Sequence, residues 1–375
     1  MISPQAFYDR LEQAGVNFVT GVPDSLLKDF CTFADAALPV DRHIIAANEG
    51  GAVALAAGTY LATQGISLVY LQNSGLGNTV NPLLSLADSE VYGIPMILLI
   101  GWRGEPNVHD EPQHVKQGRV TPAMLDTMEI PYQILDGDTE KAALSADWAV
   151  AETRRRSAPV ALLVRKGAFG KPEKKKTSIA RSGLSLSREE AIGIVTANAP
   201  ATARFFATTG HISRELYEQR KSLGQNRSND FLTVGSMGHC SQLALAYALR
   251  KPEHPVICLD GDGAALMHLG GFATIGTSKA TNLLHIVVNN GVHGSVGGQP
   301  TVGMEISLTG VAKACGYKQI IGPVTTAEEI TSTIKELTGK GGPNFLEIHV
   351  NLAVRDDLGR PKETPRENVT LFLED

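Results

Sequence analysis

Short apolar runs of strand length recur along the chain between longer, alanine-rich stretches whose apolar positions follow a helical period. In the first half the runs are Phe18–Thr20, Ser67–Gln72, Met96–Ile100 and Val160–Val164. In the second half they are Arg204–Thr208, Phe231–Val234, Val256–Leu259, Leu283–Val288 and Phe345–Val350. Runs such as Ile97-Leu98-Leu99-Ile100 are apolar on both faces, as strands covered from both sides of a parallel sheet must be. The alternation predicts an α/β fold, with helices flanking mostly parallel sheets. Between the two sets lies Lys171-Pro172-Glu173-Lys174-Lys175-Lys176-Thr177-Ser178, which reads as a solvated linker. The expected organisation is two α/β domains, residues 1–170 and 189–375, joined by 171–188. No strict repeat or low-complexity segment interrupts them.

The first residues read as a helix start, with Ser3 as N-cap and Pro4 at the first helical position. Asp9, Arg10 and Glu12 then break any apolar core that a secretory leader would need. No apolar run approaches the roughly 20 residues of a membrane-spanning helix, so a cytoplasmic protein is expected. With 375 residues, 43% of them hydrophobic and 19% charged, each domain can bury a substantial core. The net charge of −5 supplies no basic field for nucleic acid or an anionic membrane. An anionic substrate would therefore need locally placed cations. Cys31, Cys240, Cys258 and Cys315 lie far apart in the sequence without metal-ligand spacing, and read as reduced thiols.

The run Val256–Leu259 leads directly into Asp260-Gly261-Asp262-Gly263-Ala264-Ala265. A helical stretch to about Lys279 follows, then a second buried run ending in Asn289-Asn290-Gly291-Val292-His293. A Gly-Asp-Gly turn alone is usually just a turn. Here a strand–helix–strand crossover would bring the ends of both strands to one sheet edge, where ligands of open α/β sheets bind. Asp262 and Asn290, 28 positions apart, can then aim oxygen at one point, and oxygen is what Mg²⁺ selects. Gly261 and Gly263, with Ala264 beginning the helix, let backbone approach a diphosphate closely. A dinucleotide-binding turn is the alternative, but Leu266 stands where its third glycine belongs. Asp262 would also repel a pyrophosphate unless a cation lay between them.

Three further segments carry candidate chemistry. Glu49 opens an Ala/Gly-rich helix, either complementing the helix dipole from the surface or sitting buried where small residues allow close packing. Met237, in Gly235-Ser236-Met237-Gly238-His239, is core or a filler of an irregular gap. Thr208-Thr209-Gly210-His211 follows a strand; Thr209 and His211 could bind phosphate oxygens, or His211 could be an ordinary surface histidine.

Gly261-Asp262-Gly263 followed by Asn289-Asn290 resembles the fingerprint of the thiamine diphosphate enzyme superfamily. The resemblance implies two domains of that cofactor-binding type, with Asp262, Asn290 and the Val292 carbonyl holding Mg²⁺ against the cofactor diphosphate. Asn48-Glu49-Gly50-Gly51-Ala52 is similar to the helix whose glutamate hydrogen-bonds the cofactor's pyrimidine ring, making Glu49 the implied catalytic carboxylate. Met237 matches the residue wedged between the cofactor rings. Larger members insert a third domain; the linker leaves no room for one, so the resemblance is to compact two-part decarboxylases. It rests on Thr20-Gly21-Val22-Pro23-Asp24-Ser25, Gln72-Asn73-Ser74-Gly75-Leu76-Gly77-Asn78, Gly101-Trp102-Arg103-Gly104-Glu105-Pro106 and His293-Gly294-Ser295-Val296-Gly297-Gly298-Gln299-Pro300-Thr301.

The implied substrate is a small 2-oxo acid with a second anionic group. A phosphonate comes first: phosphonopyruvate, decarboxylated to phosphonoacetaldehyde and CO₂ in phosphonate biosynthesis. Sulfopyruvate or another small 2-oxo acid is the alternative. Asp24, Ser25, Arg103, His109, His114, His293 and Ser295 are the candidate substrate-binding residues, with Arg103 offering a bidentate fork. His109-Asp110-Glu111-Pro112-Gln113-His114 reads as a loop rich in titratable groups. A homo-oligomer with active sites between subunits is the implied assembly.

Overall fold

In the computed structural model, residues 1–172 and 183–374 are described. The lysine run of the expected linker, Lys174-Lys175-Lys176, lies outside them. The described residues divide into two compact units, one of 1–172 with 295–299 and one of 183–294 with 300–374.

The first unit is built on β1 (Val16–Gly21), β2 (His43–Ile45), β3 (Ile66–Gln72), β4 (Met96–Gly101), β5 (Tyr132–Leu135) and β6 (Val160–Val164). They form one parallel sheet of order β2-β1-β3-β4-β6-β5. The second unit repeats the plan with β7 (Arg204–Ala207), β8 (Asp230–Leu232), β9 (Val256–Gly261), β10 (Leu283–Asn289), β11 (Ile320–Val324) and β12 (Asn344–His349), in the order β11-β12-β10-β9-β7-β8. This is the α/β, doubly covered parallel architecture that the apolar runs predict. The three unpredicted strands, β2, β5 and β11, are all edge strands with partly exposed residues, so their sequences carry no continuous apolar run.

Each sheet has an apolar layer on both faces. In the first unit one face packs Phe7, Leu11, Phe30 and Phe169 and the other Val53, Leu76, Leu83 and Leu125. In the second, Ile192, Leu216 and Ile334 cover one face, and Phe272, Tyr317 and Phe345 are packed on the other. Ser3 caps the first helix, Pro4–Gln13, as predicted, its hydroxyl accepting from the Ala6 N–H. The helical stretch expected to run to about Lys279 is instead two short helices, Asp262–Met267 and Gly271–Gly276. The break falls at His268-Leu269-Gly270. Among the described residues no helix is long and apolar enough to cross a membrane.

Both topologies create a crevice at the carboxyl ends of two neighbouring strands. In the first sheet the chain leaves β1 toward β2 and resumes on the other side at β3; in the second it leaves β7 toward β8 and resumes at β9. Such switch points are where open α/β sheets bind ligands. The segments that emerge there are the loop 22–25 and the helical start from Asn73 in the first unit, and the turn 208–210 and the start of the helix Asp262–Met267 in the second.

Candidate active site

In the second unit, β9 delivers Asp262 to the sheet edge, where it is 2% exposed. Its Oδ2 accepts a hydrogen bond from the Thr301 hydroxyl, a residue the sequence reading did not assign to the site. The two asparagines ending β10 divide their tasks. Asn289 donates to Glu347 on β12 (3.0 Å) and to the Gly303 carbonyl (2.8 Å), fixing the strand end. Asn290 is also buried; its Oδ1 accepts from the Val292 N–H (3.2 Å), and the Val292 carbonyl accepts from the Gly294 N–H (2.9 Å). Gly263 could not be any other residue without local movement. A Cβ there would lie 3.0 Å from the His293 ring and 3.4 Å from the Met237 methyl. The His293 ring and the Met237 methyl thus both lie close to the Gly263 backbone.

Around Gly294 a set of donors converges. A Cβ at that position would lie 3.7 Å from Asn290 Nδ2, 3.7 Å from Arg188 Nη1 and 3.9 Å from His211 Nδ1. Arg188 is buried and held by Glu215 through Nε (2.7 Å) and Nη2 (2.8 Å), which leaves Nη1 on the Gly294 side. Nothing in the sequence marked it, because it opens a helix directly after a polar stretch. Thr208 Oγ1 and His211 Nδ1 are buried without a hydrogen-bond partner, and such atoms call for one. Burial first, then Arg188 and Arg214, pulls His211 down to about 4; burial alone does the same to His293. Both rings are neutral at pH 7. Thr209 and Gly261 are half-buried, and Ala264 is buried.

This arrangement suits a diphosphate. Asp262, Asn290 and Val292 offer a carboxylate, an amide oxygen and a carbonyl, the hard-oxygen ligand types that a divalent cation takes. The partnerless Thr208 hydroxyl and His211 nitrogen supply bonds that phosphate oxygens could complete.

In the first unit, Glu49 is 5% exposed at the start of the helix Glu49–Thr63. Asn48 caps that helix, its Oδ1 accepting from the Gly51 N–H (2.8 Å). Glu49 Oε2 accepts from Asn78 Nδ2 (2.7 Å), and a Cβ at Gly75 would sit 2.2 Å from Oε1. Gly75 is therefore the space this carboxylate occupies. Burial raises the Glu49 carboxyl above its ordinary range, against the lowering effect of Asn78. The surface alternative is excluded for Glu49.

A second polar cluster follows β1 and β4. Asp24 is buried, with Oδ2 accepting from the Leu27 N–H (3.2 Å) and Oδ1 partnerless. Burial pushes it up to about 6, against backbone bonds and the charge of Arg103. Arg103 Nη1 donates to Ser25 (2.7 Å), while Nε (2.8 Å) and Nη2 both donate to Asp110. This corrects the expectation of an open fork: the Nε–Nη2 edge already holds a carboxylate. Burial alone would raise Asp110, yet its bonds to Arg103 and the Gly104 N–H bring it down to about 2. The titratable segment is also not one loop. Pro112 begins a helix, Pro112–Thr127, which carries His114 inward, whereas His109 is exposed. Burial and Arg103 lower His114 to about 4, and its Nδ1 is buried and partnerless. Ser295 is exposed.

Comparison with known proteins gives this geometry a class. Residues 3–130 match the description "Thiamine pyrophosphate enzyme, N-terminal TPP binding domain", and residues 209–348 match "Thiamine pyrophosphate enzyme, C-terminal TPP binding domain". The chain belongs to the thiamine pyrophosphate (thiamine diphosphate) enzymes, within their decarboxylases. It is 34% identical over 371 residues to a phosphonopyruvate decarboxylase of Streptomyces viridochromogenes, covering 96% of this chain and 91% of that protein. It is 33% identical to the phosphonopyruvate decarboxylase of Streptomyces hygroscopicus, covering 100% and 94%. A sulfopyruvate decarboxylase of Methanosarcina acetivorans is 28% identical, with 97% and 93% covered.

Proposed function

We propose that this protein decarboxylates phosphonopyruvate to phosphonoacetaldehyde and CO₂, with thiamine diphosphate and Mg²⁺. The observation that carries the reading is full-length similarity to two phosphonopyruvate decarboxylases, at 33% and 34% identity, against 28% for the sulfopyruvate enzyme.

When bound, thiamine diphosphate supplies the electron sink that lets the carboxylate of a 2-oxo acid leave as CO₂. The protein's part is binding, orientation and proton placement. Asp262, Asn290 and the Val292 carbonyl would hold Mg²⁺, and Thr209, His211 and the backbone of Gly261, Gly263 and Ala264 would bind the diphosphate oxygens. Met237 would wedge between the cofactor rings. Glu49 holds a proton at the pyrimidine ring nitrogen; its buried setting, which raises the carboxyl, suits a group that must share one. Asp24, Ser25, Arg103, His109, His114, His293 and Ser295 form the substrate-binding set. Within it, Arg103 presents Nη1 beside Ser25 to the phosphonate, with Asp110 holding the guanidinium in place.

The same reading makes the assembly a cytoplasmic homo-oligomer with active sites between subunits. In its support, an open groove of about 890 Å³ runs along the Glu49–Thr63 helix, lined in part by Gly51, Ala54, Gly58 and Ala62. A second copy would fill it.

Purified protein given thiamine diphosphate and Mg²⁺ should release phosphonoacetaldehyde from phosphonopyruvate, detected by phosphorus resonance. Arg103→Ala should then lose about 2–4 kcal/mol in kcat/KM for phosphonopyruvate, the scale for removing one partner of a hydrogen-bonded charge pair. Pyruvate lacks the phosphonate, so its slow turnover should barely change. Equal losses for both acids would remove Arg103 from substrate recognition, and absence of the aldehyde product would end the reading.

A further inference from the structure

The core of the second unit contains a polar cluster that decarboxylation does not use. Cys258 and Asp260 are two apart on β9 and therefore face the same side of the sheet. His285 on β10 stands directly opposite Cys258 in the parallel register. Cys240 begins the helix Cys240–Arg250, which covers that face. The four side chains are each at most 1% exposed.

Their atoms form a chain of close approaches. Cys258 Sγ lies 3.9 Å from Cys240 Sγ and 4.0 Å from Asp260 Oδ2, and His285 Nε2 lies 3.2 Å from that same oxygen. One ligand atom each from Cys258, Asp260 and His285 falls within 4.8 Å of the others. Ligand atoms around a tetrahedral zinc, with bonds of about 2.0–2.3 Å, stand about 3.3–3.8 Å apart. The Cys258–Cys240, Cys258–Asp260 and His285–Asp260 approaches of 3.9, 4.0 and 3.2 Å lie within a few tenths of an ångström of that spacing. Sequence spacing alone had placed these cysteines far apart.

Two further observations call for a cation. Asp260 Oδ1 is buried without a hydrogen-bond partner, and among the described residues no lysine or arginine forms an ion pair with this carboxylate. A buried carboxylate is costly unless a positive charge compensates it. His285 also has the outer partner that metal-bound imidazoles generally keep, since its Nδ1 is 3.0 Å from the Tyr317 hydroxyl.

We propose that Cys258, Asp260 and His285, completed by Cys240, bind one zinc-class ion that locks β9, β10 and the covering helix together. The site is separate from the magnesium-binding set, takes softer ligands and has a structural role.

The full-length protein, purified without a metal-affinity tag from zinc-supplemented culture, should contain about one zinc per chain. That zinc should survive dialysis against a chelator that removes magnesium. Protein from cobalt-supplemented culture should show the near-ultraviolet charge-transfer bands of thiolate bound to Co(II). Cys258→Ala should lose both signals, with a lower melting temperature. Wild type with only trace zinc, or with cobalt but no thiolate bands, would overturn the site and leave a plain Asp260–His285 hydrogen bond. Retention of zinc by folded Cys258→Ala would overturn it as well. None of these outcomes depends on thiamine diphosphate, so they stand apart from the decarboxylase reading.

Discussion

Replacing Glu49 with glutamine should reduce turnover by about 10²–10⁴-fold, the usual contribution of a positioned acid–base group, while thiamine diphosphate remains bound. Glutamine has nearly the shape of the carboxyl and can keep the Asn78 contact, now 2.7 Å from Oε2. The variant cannot give up and retake a proton as the carboxyl does. Stability should move in the opposite direction from activity. Burial raises the Glu49 carboxyl, so its contribution to stability is full below the unfolded-state value and is lost as pH rises through the folded-state value. Glutamine removes that loss, and the cofactor-free variant should melt no lower than wild type at alkaline pH. Calorimetric titration with cofactor, thermal melts and steady-state rates on the same preparation check all three parts. Near-native turnover would assign the proton to another group.

Removing the Asp262 carboxylate should weaken Mg²⁺-dependent binding of thiamine diphosphate by about 10²–10³-fold, the scale for deleting one partner of a buried charge pair. Asp262 is 2% exposed and bonded to the Thr301 hydroxyl, so its carboxylate is held at the strand end rather than swinging in solvent. Asp262→Ala leaves the β9–β10 ladder intact, because that pairing runs through backbone from Val256 to Gly261. The variant should therefore retain its secondary structure while losing the magnesium effect. Calorimetry with and without Mg²⁺ reads this directly; a folded variant with unchanged affinity would move the metal elsewhere.

How much of this could be read from the sequence depended on distance along the chain. The central strands announced themselves because both faces are buried, as Ile97–Ile100 shows with every residue at 0% exposure. β2, β5 and β11 did not, since an edge strand needs to bury only part of its surface. The Gly-Asp-Gly turn and the Asn-Asn strand end were legible because backbone topology alone brings them to one edge. Their supports were not. Thr301 reaches Asp262 across 39 positions and Asn78 reaches Glu49 across 29, through contacts that no local period encodes. Arg188 escaped for the same reason: its place beside His211 and Gly294 is set by tertiary packing. Arg103 was legible as a charge near a strand end, but its partner Asp110, although only seven positions away, was read as part of a loop.

The central claim is the choice of substrate, and kcat/KM measured on one enzyme preparation for phosphonopyruvate, sulfopyruvate and pyruvate tests it most directly. With thiamine diphosphate and Mg²⁺ present, phosphonopyruvate should give the highest value, pyruvate the lowest, and omission of thiamine diphosphate should abolish all three rates. A higher kcat/KM for sulfopyruvate, or turnover that persists in protein shown to be free of thiamine diphosphate, would contradict the account.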